Sequence, residues 1–425
     1  MNEIAVTEQA PVPPVIVQMH DGIIYLADAA DGLRAWCTKG DRRLLAQRRF
    51  EQGTSSPPTS LAIDAIPGLP TSKKALVGFE DGSFGLYTLD TATEEFVHAY
   101  RHEPSINGVI ASVAVAWPYV ATMTSTQLLS LYRCDTKNPQ SESTEPPRLL
   151  HSLKSHTVWP PLTTSLRLSG SAIIVTIAYA LPTYLSGWTV GVQEVKLTTA
   201  GKLAESRVTS AIDQHYRPLA FSTSPLRSHL VPAAGALATS TTLELRHIHS
   251  KPTSLSYTHP YLLVSHPDNT LTLYLVSSTK DSLTISAGSR LFGHTSSVSG
   301  AQVGNRGKAV SVSKRGDELR IWELEGGFAS ASARKRLASG DLSVRVRPGT
   351  PTCAPAGAKQ AGLDLVNAAG GVSRTSFEAV HEPSDSDEDE LTLTRGWIGF
   401  DEENVVVLKE QSQGRQALVV YDFTW

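Results

Sequence analysis

The residues of this 425-residue chain best equipped for chemistry are cations. Lys314 and Arg315 precede an apolar run ending in Trp322, Arg101 and His102 follow a second such run, and Lys154 and His156 follow a third. Ammonium, guanidinium and imidazolium groups make charge-assisted hydrogen bonds, so presented together they grip carboxylates and phosphates, the groups of acidic or phosphorylated peptides. Taken singly, each is also what an ordinary solvated turn carries. Two further segments suit modification. Ser339 follows the basic run Arg334-Lys335-Arg336, which reads as a kinase site or a nuclear signal, and Ser384 and Ser386 lie in the acidic run from Ser384 to Glu390. Phosphate in that acidic run deepens its charge; the plainer reading of both segments is solubilisation.

Catalytic patterns are missing. The chain has no Gly-x-Ser-x-Gly elbow, phosphate-binding Gly-rich loop, His-Glu-x-x-His or dinucleotide fingerprint. Cys37, Cys134 and Cys353 are far apart and form no Cys-x-x-Cys, so neither a disulfide framework nor a metal site is expected, and a cytoplasmic or nuclear setting fits. No cofactor is expected. A net charge of -3 and a pI near 6.5 supply no general attraction for nucleic acid or an anionic membrane. Met1 to Pro14 does not resemble a secretory signal. The uncharged stretch from Leu168 to Gln193 is long enough to raise a membrane span, but Gly170, Pro182 and Gly187 interrupt it, so it reads as two buried strands joined by a turn.

The elements that must position the cations are strands. Runs that read as third strands of a repeating unit, most of them ending in an aromatic residue, recur at Leu33 to Trp36, Phe84 to Tyr87, Leu128 to Tyr132, Val190 to Val195, Leu243 to Arg246, Leu271 to Tyr274, Leu319 to Trp322 and Leu418 to Tyr421. Asp81 and Asp268 sit six residues before Tyr87 and Tyr274, where a turn carboxylate accepts backbone hydrogen bonds and tightens a hairpin; Asp31 and Asp317 fall five before their tryptophans. Arg34 and Arg320, each two residues before a tryptophan, read as a repeated structural feature. Most regular is the unit from Gly293-His294 to Trp322-Glu323, which has the length of one four-stranded propeller blade.

That unit resembles the WD40 repeat. The resemblance implies that His294, a serine of the second strand (Ser311 or Ser313), Asp317 and Trp322 form a hydrogen-bonded structural set, with Glu323 standing where the family has aspartate. His102 and His156, which open other units in the same way, are then structural as well. It also implies that Lys314, Arg315, Arg101, His102, Lys154 and His156 share one face. Pro118 to Tyr132 and Pro260 to Tyr274 align at an offset of 142 residues, which at about 47 residues per unit predicts two further blades between them.

The organisation expected is therefore all-β: residues 1–14 a flexible leader, 15–325 propeller blades, 326–390 a largely disordered insertion with one strand at Leu342 to Arg347, and 391–425 a final blade. Eight blades are favoured over seven. The last blade shows three strands, so Ile4 to Val6 or Val12 to Val17 is expected to close the ring by supplying its fourth.

The resemblance extends to the propeller half of fungal F-box/WD-repeat proteins, which select substrates for ubiquitin ligases. About 14 residues precede the first strand, too few for a helical ligase-docking domain. The resemblance implies a non-enzymatic scaffold for other proteins, with a subunit of a trafficking, chromatin or RNA-processing complex as the alternative and a propeller hydrolase behind both.

Overall fold

Strands at the middle of each sheet are apolar on both faces, and the fold uses both. From Asn404 to Glu410 the side chains of Val405 and Val407 pack to one side while those of Val406 and Leu408 pack to the other, as the twofold alternation of a strand requires. A sheet of this kind must be covered twice. In the computed structural model the covering on each side is another such sheet, repeated until the series closes on itself. The structure describes residues 15–39, 43–50, 56–64, 72–134, 146–182, 187–211, 250–304, 306–315, 318–324, 343–346, 373–378, 393–410 and 416–422.

Seven antiparallel sheets are formed by the described residues. They span 16–48, 58–101, 110–154, 159–210, 254–291, 298–346 and 373–422, and are numbered here as blades one to seven. Six have four strands; in blade five the outer position is split between Leu283–Ile285 and Ser289–Leu291, which both pair with the third strand. The inner strands are Ile16–His20, Pro58–Ile63, Ile110–Ala116, Trp159–Ser169, Ser254–Thr258, Val298–Val303 and Leu393–Phe400. Each neighbours the next in that order, and the last neighbours the first.

Seven apolar clusters fill the seams, one per pair of adjacent blades. Backbone-directed hydroxyls brace the inner strands. Thr59 Oγ1 donates to the Ile110 carbonyl (2.7 Å), Ser112 Oγ accepts from Thr164 N (3.2 Å), and Thr258 Oγ1 donates to the Val303 carbonyl (2.9 Å).

Three expectations are corrected. The ring has seven blades and not eight, because the inner strand of blade four packs directly on that of blade five and leaves no place for a sheet between them. Leu243 to Arg246, the run behind the eighth, lies outside the described residues. For the same reason the units beginning at Pro118 and Pro260 belong to blades three and five and have one blade between them, not two. Three strands of blade four reach 11 residues each. The uncharged stretch of this blade forms the antiparallel pair Ala172–Pro182 and Trp188–Thr198, and among the described residues no helix is long and apolar enough to cross a membrane.

Closure also differs. The leading strand Ile16–His20 is the inner strand of blade one, paired with Ile23–Asp28, while the outer strand of blade seven is Ser373–Glu378, paired with Gln416–Asp422. Among the described residues, no sheet is shared by the two ends of the chain. Val17, Met19, Ile24 and Leu26 instead pack against Val406, Leu408, Leu418 and Val420, and Lys39 Nζ meets Glu403 Oε2 at 2.9 Å across the same seam. Burial of apolar faces, which needs no strand exchange, closes the ring. Within 326–390 the structure describes two strands, Ser343–Val346 completing blade six and Ser373–Glu378 completing blade seven. Ile4 to Val6 lies outside the described residues.

A candidate protein-binding end of the ring

Because strand direction alternates, the turns between second and third strands emerge at the same end of the ring as the connections from one blade's outer strand to the next blade's inner strand. Lys314 and Arg315 lie in such a turn of blade six, Arg101 and His102 at the end of the outer strand of blade two, and Lys154 and His156 at the end of that of blade three. The six thus share an end but not a cluster, since blades two and three stand across the ring from blade six.

Most arginines at this end are occupied by an acid of their own blade. Arg34 is buried against Asp28, with Asp31 3.2 Å away. Arg101 donates to Ser83 Oγ (3.2 Å), stands 3.9 Å from Asp81 and covers the Phe79 ring at 4.2 Å. Arg290 meets Asp268 at 2.8 Å, and Arg320 meets Glu318 at 2.8 Å. His102 is stacked on Phe84 with ring centres 4.7 Å apart, accepts or donates at Tyr100 Oη (3.2 Å), and burial lowers its pKa. Arg101 and His102 are therefore parts of the framework, whereas Lys154, His156, Lys314 and Arg315 are exposed.

The turn carboxylates work through backbone donors. Asp81 Oδ1 accepts from Ser83 N (2.9 Å) and Asp268 Oδ1 from Thr270 N (2.9 Å) and Thr270 Oγ1 (2.6 Å). In blade one the residue in this role is Asp28, accepting from Ala30 N and Asp31 N, rather than Asp31.

Blade six holds a buried relay. The Trp322 indole Nε1–H donates to Ser311 Oγ (2.8 Å), which meets His294 Nε2 at 2.6 Å. Serine has one proton, so if it gives that proton to Nε2 the imidazole carries its own on Nδ1, which faces Glu318 Oε2 at 3.6 Å. Glu318 is fully buried and accepts from Thr295 N (2.8 Å) as well as pairing with Arg320. Burial pushes its carboxyl up, but the hydrogen bonds from Thr295 and Arg320 hold it below the ordinary value. Burial drives His294 down to about 4, so the ring is neutral near pH 7. Ser313 stands one turn away, its Oγ accepting from Glu318 N (3.2 Å). Gly293 lies against the Arg320 guanidinium. Asp317, Ser339, Ser384 and Ser386 lie outside the described residues.

Sequence reasoning missed Glu318, Asp28 and Trp159. The first two were one and three positions from the acids named, displaced because the carboxylate that reaches the turn depends on hairpin geometry. Trp159 begins the inner strand of blade four yet is 45% exposed, while Ile110 and Val298 at the same place in their blades are 2% and 3% exposed.

The bore of the ring has a volume of about 490 Å³ and is lined by all seven inner strands. Its described lining carries no carboxylate, amine, guanidinium, imidazole or thiol, and consists of groups such as Gln18, Ser60, Ser112, Thr164 and Gln302. Among the described residues, no three His, Cys, Asp or Glu side chains converge as metal ligands do.

Seven antiparallel blades around a bore, one of them carrying a histidine–serine–tryptophan relay, define a WD40-type β-propeller. The match at the level of sequence is more specific: the family model described as F-box protein pof12 beta-propeller covers residues 1–424, and the chain belongs to that family. F-box protein pof12 of Schizosaccharomyces pombe is 41% identical over 64 residues, 15% of this chain and 14% of that protein, so the aligned stretch spans only a small part of the curated relative. Solved structures to which the chain is similar include U3-55K (TM-score 0.48, 10% identity, covering 98% of this chain and 96% of that one). The WD40 propeller of Doa1 (0.40, 10%, 98% and 95%) and the Cps50 (Swd1) propeller of Myceliophteria thermophila (0.45, 11%, 96% and 99%) are similar in the same sense.

Proposed function

We propose that this ring is a non-enzymatic platform that holds other proteins, and that it serves as the substrate-recognition part of a ubiquitin-ligase assembly in the cytoplasm or nucleus. The observation that carries the proposal is the family match over residues 1–424 to a propeller described as that of an F-box protein. The architecture supports it physically. Apolar seams between every pair of blades hold the turns rigid, so recognition at their end costs little ordering entropy. Exposed Lys154, His156, Lys314 and Arg315 favour acidic or phosphorylated partners over nucleic acid or membrane, since the chain as a whole carries a charge of -3.

Affinity purification of the full chain under mild salt tests this reading. Co-purification of ligase adaptor subunits, together with partners that accumulate when the chain is removed, is the expected result. A constant stoichiometric complex without ligase subunits, whose members keep their abundance in the absence of the chain, refutes the ligase role.

A further inference from the structure

The end of blade three is a constructed surface. Three separate connections meet there and are joined by hydrogen bonds: Ser125 N donates to the Val109 carbonyl (2.8 Å), Thr126 Oγ1 to the Asn107 carbonyl (2.5 Å) and Ser155 N to the Gln127 carbonyl (2.9 Å). Ser105 N donates to the Asp81 carbonyl at 3.0 Å and so ties the same surface to blade two. The crest so formed is held before any partner arrives, which lowers the cost of binding.

On this crest stand four side chains that the fold does not use. Ile106 is fully exposed, and Trp159 turns outward although its neighbour Val158 is buried at 1%. Lys154, opposite Leu128 in the outer pairing of blade three, and His156 are exposed and make no ion pair among the described residues. Arg34, Arg101, Arg290 and Arg320 are by contrast each matched by an acid of their own blade, and what sets Lys154 and His156 apart from exposed Arg315 is the exposed Trp159 three residues beyond His156. Exposed aromatic surface beside unmatched positive charge is complementary to apolar surface beside negative charge.

We infer that the crest of blade three is the docking site for an acidic peptide segment that carries one bulky apolar side chain, seated against Trp159 and Ile106, with its carboxylates on Lys154 and His156. The inference rests on the protein-binding reading above and assigns that reading a place and a ligand chemistry. Lys314 and Arg315, across the ring, take no part in this contact.

The test is selection of random twelve-residue peptides displayed against the full chain, followed by fluorescence anisotropy with the most enriched peptide, labelled with fluorescein. Enriched peptides are expected to be net negative with a Leu, Phe or Trp, and to bind more weakly as salt rises. Trp159→Ala should weaken binding by about tenfold or more, and Lys154→Glu with His156→Glu by a similar factor. Ile106→Ser, at a side chain that contributes nothing to the core, should give a smaller loss with unchanged melting, which separates docking from folding. Arg306→Glu, in the turn between the first and second strands of blade six at the opposite end of the ring, should leave affinity unchanged. No enrichment, enrichment of neutral or basic peptides, or loss of binding on Lys314→Glu with Arg315→Glu while the crest variants bind normally would overturn the inference. If peptides bind elsewhere on the ring the crest fails and the platform stands; if crest binding is intact but no ligase adaptor co-purifies, only the ligase role fails.

Discussion

Acid should destabilise this propeller well above the pH at which carboxylates titrate, and two buried imidazoles set the size of the effect. His294 and His266 are each driven by burial from the ordinary 6.5 to about 4. His294 faces Glu318, Arg320 and Arg345, and His266 faces Asp268 and Arg290, yet desolvation outweighs the acids in both. The folded state thus binds fewer protons than the unfolded one between pH 6.5 and 4, so stability is full above the unfolded value and falls as pH drops through this window. One pKa unit corresponds to about 1.4 kcal/mol, and from neutrality to pH 5 each ring should cost about 2 kcal/mol, or about 4 kcal/mol for the two.

That is a large part of the ~5–15 kcal/mol by which a folded domain usually survives. His20, His102 and His259, also lowered by burial, act in the same direction. Glu194, Glu318 and Asp268 are held below their ordinary values and add their own losses only as pH falls through 4.5 and 3.8. Urea denaturation at pH 7 and pH 5 measures the loss. His266→Gln and His294→Gln should each lower stability at pH 7 but flatten its pH dependence by about 2 kcal/mol. A pH dependence as steep in the double variant as in the parent would refute the reasoning.

Two further outcomes test the framework. Ser311→Ala removes the acceptor of the Trp322 indole and the partner of His294 Nε2, both deeply buried, and should cost about 2–4 kcal/mol in the denaturation midpoint, with Ser311→Thr costing less than the alanine. Glu194 Oε atoms accept from Arg167 (2.9 Å), Arg207 (2.5 Å) and Ser278 of the next blade (2.9 Å), so Glu194→Ala should cost about 3 kcal/mol and open amide exchange first along the seam of blades four and five, as read by hydrogen exchange.

The periodic features of the fold could be read directly from the chain. Runs such as Phe84 to Tyr87 and Leu319 to Trp322 are third strands, and Asp81 and Asp268 tighten the turns before them, because strand alternation and turn chemistry are settled among residues a few positions apart. The resemblance of one unit to the WD40 repeat offered His294, Trp322 and either Ser311 or Ser313 as a bonded set within a single blade, and only the structure puts Ser311 between the two rings. Counting blades was a different matter. About one blade's length of chain separates Ser210 from Ser254, and only the contact between the inner strands of blades four and five shows that these two blades are direct neighbours in the ring.

Ring closure lay beyond local pattern in the same way. A strand that is apolar on both faces demands two neighbours without saying which, so Val17 and Val406 carry no mark that they meet. The fate of charge was hidden too: Arg101 and Lys154 both follow an apolar run, yet one is held by Asp81 and a phenyl ring while the other faces water. Alternation and turns are properties of neighbours in the chain and were therefore written there. Which blade meets which, which cation is neutralised and that Trp159 points outward are properties of neighbours in space, fixed only when the seven apolar seams form together.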